Sequence, residues 1–329
     1  MSSVQVRPFR RSDRDQLTML VNAHAAAVVP GMAVSVNTVL SSLERQPGEF
    51  IVDPWVAERA TLVAEQQDRI VAAAHLLRYY ADDRAGASAR NSGDIRWLLF
   101  WPEAPAGNPW WTDATPAAEE LMAACIGQLD RWGVASQSAE GELPVRGVYG
   151  VPEQWPHVRD LYGRAGFTHV GHTEIIYLAK VEDLPVAAKL PAGGLRVIRS
   201  VGINGCRLSA ALDDRVIGFI EVEIMDEGER LSRLGGWADV GNLRVVAEHR
   251  RRGVGTWLLA QAAEWLKLAN VDRLLDYAWL DGTDPGGVSY EDYRAFLPAV
   301  GFRELTRTKR GWTRSPSAAS HRPADRSGG

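Results

Sequence analysis

The chain has 329 residues, a formal net charge of -4, and 46% hydrophobic against 24% charged residues. This is the make-up of a globular protein longer than one ordinary domain, so two domains are expected. The slight acidity argues against nucleic acid or an anionic membrane as partner, and no apolar run is long enough to span a bilayer.

The first residues lack the apolar core of a secretion signal, and the location expected is the cytoplasm. Cys125 and Cys206 lie far apart, one in an apolar helix pattern and one in a strand pattern. They read as packed thiols rather than a disulfide. With no Cys-x-x-Cys or His-Glu-x-x-His and with seven scattered histidines, no metal is expected.

The first copy of a repeated plan opens with a strand at 4–8 and helices at 12–25 and 35–45. A hairpin at 60–65 and 70–79 turns at Gln66-Gln67-Asp68, and a strand at 95–101 leads to a helix at 116–132. That helix has Thr115 as its expected N-cap and Pro116 in its first turn. A strand near 145–150, a helix near 155–165 and paired strands over 167–180 close the copy. The segment 183–194, with Pro185, Pro191 and the closing Gly193-Gly194, reads as a linker.

The order then repeats. A strand at 195–199 precedes a hairpin at 206–212 and 216–225 turned by Asp213-Asp214. A strand at 237–246, a helix at 254–269, a strand at 273–279, a helix near 289–297 and strands after Gly301 follow. This copy has only a handful of residues where the first has two helices. The expected division is therefore domain 1–182, linker 183–194, domain 195–313 and a disordered tail at 314–329 rich in Ser, Pro, Ala and Arg.

The most informative stretch is Leu243-Arg244-Val245-Val246-Ala247-Glu248-His249-Arg250-Arg251-Arg252-Gly253-Val254-Gly255. A strand end passes through a basic turn into Gly-x-Gly, and a helix follows with Val254, Trp257, Leu258, Ala262, Trp265, Leu266 and Ala269 on one face. Such a turn presents backbone N–H groups at the positive end of a helix, a geometry suited to phosphate or pyrophosphate. Leu258 stands where a dinucleotide loop needs its third glycine, and no lysine follows Gly255 as a nucleoside-triphosphate loop requires.

The Arg-x-x-Gly-x-Gly pattern of Arg250, Gly253 and Gly255 behind a Leu-x-Val strand resembles the acetyl-coenzyme A (acetyl-CoA) loop of the GNAT N-acetyltransferase superfamily. The resemblance implies an α/β fold of two tandem GNAT-like domains, each a mixed, largely antiparallel central sheet flanked by helices. It implies acetyl-CoA as acyl donor, held by Leu243, Arg244, Val245, Arg250, Arg251, Arg252, Gly253, Val254, Gly255 and Thr256. A bulge near Arg244 and Val245 would release backbone amides toward the donor. The implied acceptor is a primary amine on a small molecule or peptide, with a homodimer as an option.

The first copy departs from this pattern. After its strand comes the Trp- and Pro-rich run 102–111, without a basic residue or Gly-x-Gly, and Glu119 and Glu120 sit in the first turns of the following helix. Carboxylates there would repel a pyrophosphate. The superfamily also places a tyrosine four residues before the Gly-Phe that closes the last helix, where it can protonate the departing thiolate. Tyr162 holds that place in the first copy and Leu297 in the second. Tyr293, one helical turn earlier, is the substitute expected on the cofactor-binding copy.

An ammonium acceptor must lose a proton before it attacks, because its ordinary pKa is near ~10. Asp239, fourteen residues ahead of Gly253, matches the position of the catalytic glutamate in the histone-type branch of the superfamily, so the resemblance implies it as the preferred base, with Glu221 and Glu223 as alternatives. The acidic stretch Glu221, Glu223, Asp226, Glu227 and Glu229 reads as a solvated loop or as a device that steers a cationic amine. The competing reading is a non-catalytic acyl-CoA-binding or protein-interaction module on a degenerate scaffold.

Overall fold

A computed structural model describes residues 4–44, 55–101, 113–145, 147–186, 193–203, 205–224, 236–283 and 288–315. The run 102–111 and the acidic residues at 226–229 discussed above lie outside the described residues, as does most of the tail. Among the described residues no helix is long and apolar enough to cross a membrane.

The first half opens with β1 (Gln5–Pro8), α1 (Arg14–Val28) and α2 (Val36–Leu43). The hairpin β2 (Val56–Gln66) and β3 (Arg69–Tyr79) follows, then β4 (Ser92–Phe100), α3 (Thr115–Trp132) and β5 (Ser136–Ala139). After β6 (Val151–Pro152) come α4 (Pro156–Arg164), β7 (Thr168–His169) and β8 (Thr173–Lys180). The second half runs β9 (Arg196–Gly202), β10 (Gly205–Leu212), β11 (Arg215–Ile224), β12 (Gly236–Val245), α5 (Val254–Leu268) and β13 (Val271–Trp279). It ends with α6 (Tyr290–Ala299), β14 (Arg303–Lys309) and β15 (Trp312–Arg314).

Local chemistry accounts for most of these elements. The β2–β3 and β10–β11 hairpins turn on Gln67-Asp68 and Asp213-Asp214, four residues with positive φ, which is the backbone twist that joins strands through two-residue loops. α3 begins at Thr115 itself, with Ala114 at the N-cap, because the Asp113 carboxylate accepts the Thr115 N–H at 2.8 Å in place of the expected threonine cap. β9 passes directly into β10, and no early helices intervene in the second half. The expected strand near 145–150 does not form. Gly147 and Gly150 take left-handed φ there, and only Val151–Pro152 joins a sheet.

Two sheets result, with orders β1-β2-β3-β4-β5-β15-β7 and β6-β14-β8-β13-β12-β11-β10-β9. β4–β5 and β12–β13 are parallel pairs, and the other ladders are antiparallel. Sheet membership does not follow the expected division at 182. β8 leaves the first half and inserts between β13 and β14, while β15 leaves the second and inserts between β5 and β7. The expected pairing of strands within 167–180 is therefore replaced by a reciprocal exchange of last strands. Each side has its own core, and Ile176, Leu178, Trp237 and Leu275 carry the first core across to the second sheet.

Candidate active site

The parallel ladder between β12 and β13 stops at the Asp239–Leu275 pair. Beyond it, β12 continues through Val240–Val245 and β13 through Asp276–Trp279 without pairing to each other. A bulge assists this parting: Glu221 opposes Asn242 while Val222 opposes Val240, so Gly241 is the extra residue on β12. The bulge thus falls three residues ahead of the Arg244–Val245 position expected for it.

A cleft of about 800 Å³ opens along the parted strands. The residues from 240 to 245 line one side, and Asp276 and Tyr277 line the fork. Tyr290, Tyr293 and Phe296 of α6 cover another wall, and the loop ahead of α5 closes the far end.

That loop is shaped by its dihedrals. Arg251 has φ 59° and Gly253 has φ 83°, so two residues of the loop take left-handed backbone conformations just ahead of α5. Gly253 occupies the N-cap and brings no side chain to accept from the first-turn N–H groups, which have no partner within a helix. A Cβ built on Gly255 would meet nothing nearer than Phe296 at 3.7 Å and Val245 at 3.9 Å. Internal packing thus does not require glycine there, and its bare backbone serves the cleft. Arg250 turns inward instead, its Nε donating to the Val245 carbonyl at 3.0 Å and pinning the loop to the end of β12.

Two carboxylate–phenol pairs flank the fork on opposite faces of the sheet. Leu274 and Ala278 of β13 and Ala238 and Val240 of β12 belong to the second core, so Asp276 shares their face while Asp239 and Tyr277 share the other. On the helix side, Tyr293 donates to Asp276 Oδ2 at 2.6 Å. On the opposite side, Tyr277 donates to Asp239 Oδ1 at 3.1 Å. Burial pushes the Asp276 carboxyl up to about 7; the Tyr293 hydrogen bond works against that rise and nearby Asp239 adds to it. Burial and the neighbouring Asp239 likewise raise Tyr277 well above its ordinary range.

Residues 197–285 match the model of the Acetyltransferase (GNAT) family. A tandem GNAT protein from the clavulanic acid biosynthesis pathway superposes with a TM-score of 0.64 at 14% identity, covering 96% of this chain and 100% of that one. The chain has a tandem GNAT fold. A GCN5-related glucosamine N-acetyltransferase region of a fungal multi-domain GH3 β-N-acetylglucosaminidase superposes with a TM-score of 0.58 at 15% identity. There 95% of this chain is covered but only 38% of that longer protein. A GCN5-related N-acetyltransferase from Sphaerobacter thermophilus gives a TM-score of 0.56 at 12% identity, covering 94% of each chain. No curated protein sequence matches the chain.

Of the positions expected from the GNAT resemblance, Leu243, Arg244, Val245, Arg250, Arg251, Gly253, Gly255 and Thr256 come together along the cleft. Arg252 is exposed and Val254 is buried in the second core; neither lines it. Tyr293 lines the cleft, whereas Asp239 lies just behind the fork and does not. Glu221 is almost wholly buried and ion-paired with Arg207 at 2.5 Å, which commits it to structure.

The tyrosine of the first GNAT half is also committed. Tyr162 is fully buried and donates to the Glu140 carbonyl at 2.7 Å. In the same half the end of β4 is packed by its own aromatic side chains. His24 stacks on Trp101 and contacts the Phe100 carbonyl through Nε2 at 3.0 Å, with Trp155 against its edge.

The sequence reading did not single out Asp276, Tyr277 or Phe296. A lone carboxylate within the apolar run Leu274-Leu275-Asp276-Tyr277-Ala278-Trp279 was the available signal.

Proposed function

We propose that the second half is an acetyl-CoA-dependent N-acetyltransferase that moves an acetyl group to a primary amine of a small molecule or peptide. The parting of β12 and β13 at Asp239–Leu275 carries this reading, because it opens a channel from Asp276, Tyr277 and Tyr293 to the N-terminus of α5. A thioester at the fork and a pyrophosphate on the helix end would occupy its two extremes. The first-turn N–H groups of α5 and the backbone around Arg251 suit the pyrophosphate, and Arg251 adds charge. The edge of β12 from Val240 to Val245 offers backbone partners to an extended amide arm.

Transfer needs a base for the ammonium, donors for the developing oxyanion and a proton for the leaving thiolate. Asp239 would serve as base on its own face of the sheet, with Tyr277 holding its carboxylate in place. Tyr293 would protonate the sulfur from the α6 side. The acetyl carbonyl would take backbone N–H groups at the bulge, where the strand departs from regular pairing.

A second reading, an acyl-CoA-binding or interaction module without turnover, draws on Leu297. It is wholly buried where the resemblance asks for a tyrosine. Release of free thiol from acetyl-CoA across a panel of primary amines separates the two. Transfer predicts amine-dependent thiol release, lost in Gly255→Glu. Binding without release on every amine favours the module.

A further inference from the structure

Tyr293 has a single hydroxyl proton, and the structure directs it at Asp276 Oδ2 rather than into the cleft that both residues line. A phenol held this way cannot protonate anything else. The other Asp276 oxygen accepts the Tyr277 backbone N–H at 2.7 Å, so Oδ2 is the oxygen left to carry a proton.

We propose that Asp276 sets the direction of the Tyr293 proton. As a carboxylate it holds the phenol proton; as a carboxylic acid it donates its own proton to the phenol oxygen and turns the Tyr293 proton into the cleft. What the released proton does there rests on the acetyl-transfer reading, whereas the switch itself does not.

Within that reading the step balances. The C–S bond of the tetrahedral adduct breaks and its electron pair goes to sulfur, while the carbonyl re-forms. The Tyr293 proton forms the S–H bond, and the Asp276 proton passes to the phenol oxygen. Asp276 is left as a carboxylate and regains a proton from solvent through the cleft.

The surroundings place this switch near neutrality. Tyr293 on α6 and Tyr177, its register partner on β8, face Asp276, and the Asp239 carboxylate on β12 acts on it by charge from the other face of the sheet. Arg294 from α6 and Glu304 and Arg307 from β14 act on Tyr177. Arg244, Arg250, Arg251 and Asp292 lie farther along the cleft wall. Burial and the Asp239 charge favour the protonated acid, which holds below about 7 and is lost above it.

The test is a pH titration of protein carrying ¹³Cζ-labelled tyrosine, read by nuclear magnetic resonance without any ligand. The chain has eight tyrosines, and the Tyr293 signal is the one lost in Tyr293→Phe. The switch predicts an inflection of that signal near pH 7 that disappears in Asp276→Asn, whose amide can donate to the phenol oxygen at every pH. A flat Tyr293 signal in the unaltered protein, or an inflection that survives Asp276→Asn, overturns it.

With any amine that is acetylated, kcat should fall about tenfold per pH unit above that inflection, and the Asp276→Asn profile should lack this limb. A limb unchanged in Asp276→Asn overturns the role in turnover. If no amine is acetylated, the transfer reading fails on its own, and the tyrosine signal still decides the switch.

Discussion

Gly171 and Gly311 meet where the two exchanged strands cross. A Cβ on Gly311 would lie 2.9 Å from the Gly171 Cα, and a Cβ on Gly171 would collide with the Arg310 carbonyl. Both connections are held backbone to backbone. The N–H groups of Val170 and Gly171 donate to the Gly311 carbonyl at 3.0 and 3.1 Å, and Arg310 N–H donates to the His172 carbonyl at 3.1 Å. The exchange of β8 and β15 depends on this contact, because each connecting segment must pass the other to reach the opposite sheet.

Gly171→Ala is therefore expected to destabilise the whole chain by about 3 kcal/mol, the upper range for overpacking a site that cannot relax. Since β8 belongs to the second sheet and β15 to the first, the loss should appear as one cooperative shift of both halves in thermal unfolding. A variant that unfolds one half alone would contradict the coupling.

Glu140 supplies a pH-dependent part of the same crossing. Its Oε1 accepts the Gly311 N–H at 2.9 Å, and burial, reinforced by Asp94, pushes the carboxyl up to about 7. A raised folded pKa means that the native state holds the proton more tightly than the unfolded chain. Stability from this group is full below the ordinary carboxylate value and declines as pH rises toward about 7. Glu140→Gln keeps an acceptor for Gly311 and removes the charge. It should stabilise the protein above pH 7 by up to about 3 kcal/mol and by little near pH 4, as chemical denaturation at the two pH values would read.

The two tyrosine positions of the GNAT resemblance predict different phenotypes. Tyr162→Phe removes a buried hydrogen bond and leaves the Glu140 carbonyl without that donor, a cost of about 1–2 kcal/mol in stability with no change in kcat. Leu297→Tyr places a phenol in a fully buried apolar site and should cost about 1–3 kcal/mol without raising turnover. Denaturation and thiol-release assays on both variants check this.

Arg250 tests the loop apart from its charge. Its Nε bond to the Val245 carbonyl fixes the turn, so Arg250→Lys, which keeps the charge but lacks the planar guanidinium, should weaken acetyl-CoA binding nearly as much as Arg250→Ala. Arg252→Ala, at an exposed position off the cleft, should change the dissociation constant less than either. Calorimetric binding on the three variants orders them.

Features coded by neighbouring residues were legible in the sequence. The turns at Asp213-Asp214 and Gln67-Asp68, the Gly-x-Gly start of α5 and the second half without early helices all follow from short-range pattern. β5 was not, because Ser136-Gln137-Ser138-Ala139 has neither apolar alternation nor β-branched residues and owes its extended form to pairing with β4. The strand expected near 145–150 failed in the opposite way. Val145 and Val148 are buried, but the left-handed glycines beside them prevent a ladder.

The strand exchange was illegible because pairing partners are chosen by long-range packing, and β8 has an apolar pattern that fits either sheet. At the site, the GNAT resemblance pointed to Asp239. It could not reveal that the ladder ends there and that the next carboxylate into the cleft comes from β13.

Calorimetric titration of acetyl-CoA into the intact protein and into Gly255→Glu tests the central claim most directly. The account predicts one site per chain in the unaltered protein and none in the variant, with thermal unfolding little changed, because a Cβ at Gly255 meets only Phe296 and Val245, both at ordinary van der Waals distance. Two sites per chain, or undiminished binding in Gly255→Glu, would contradict it.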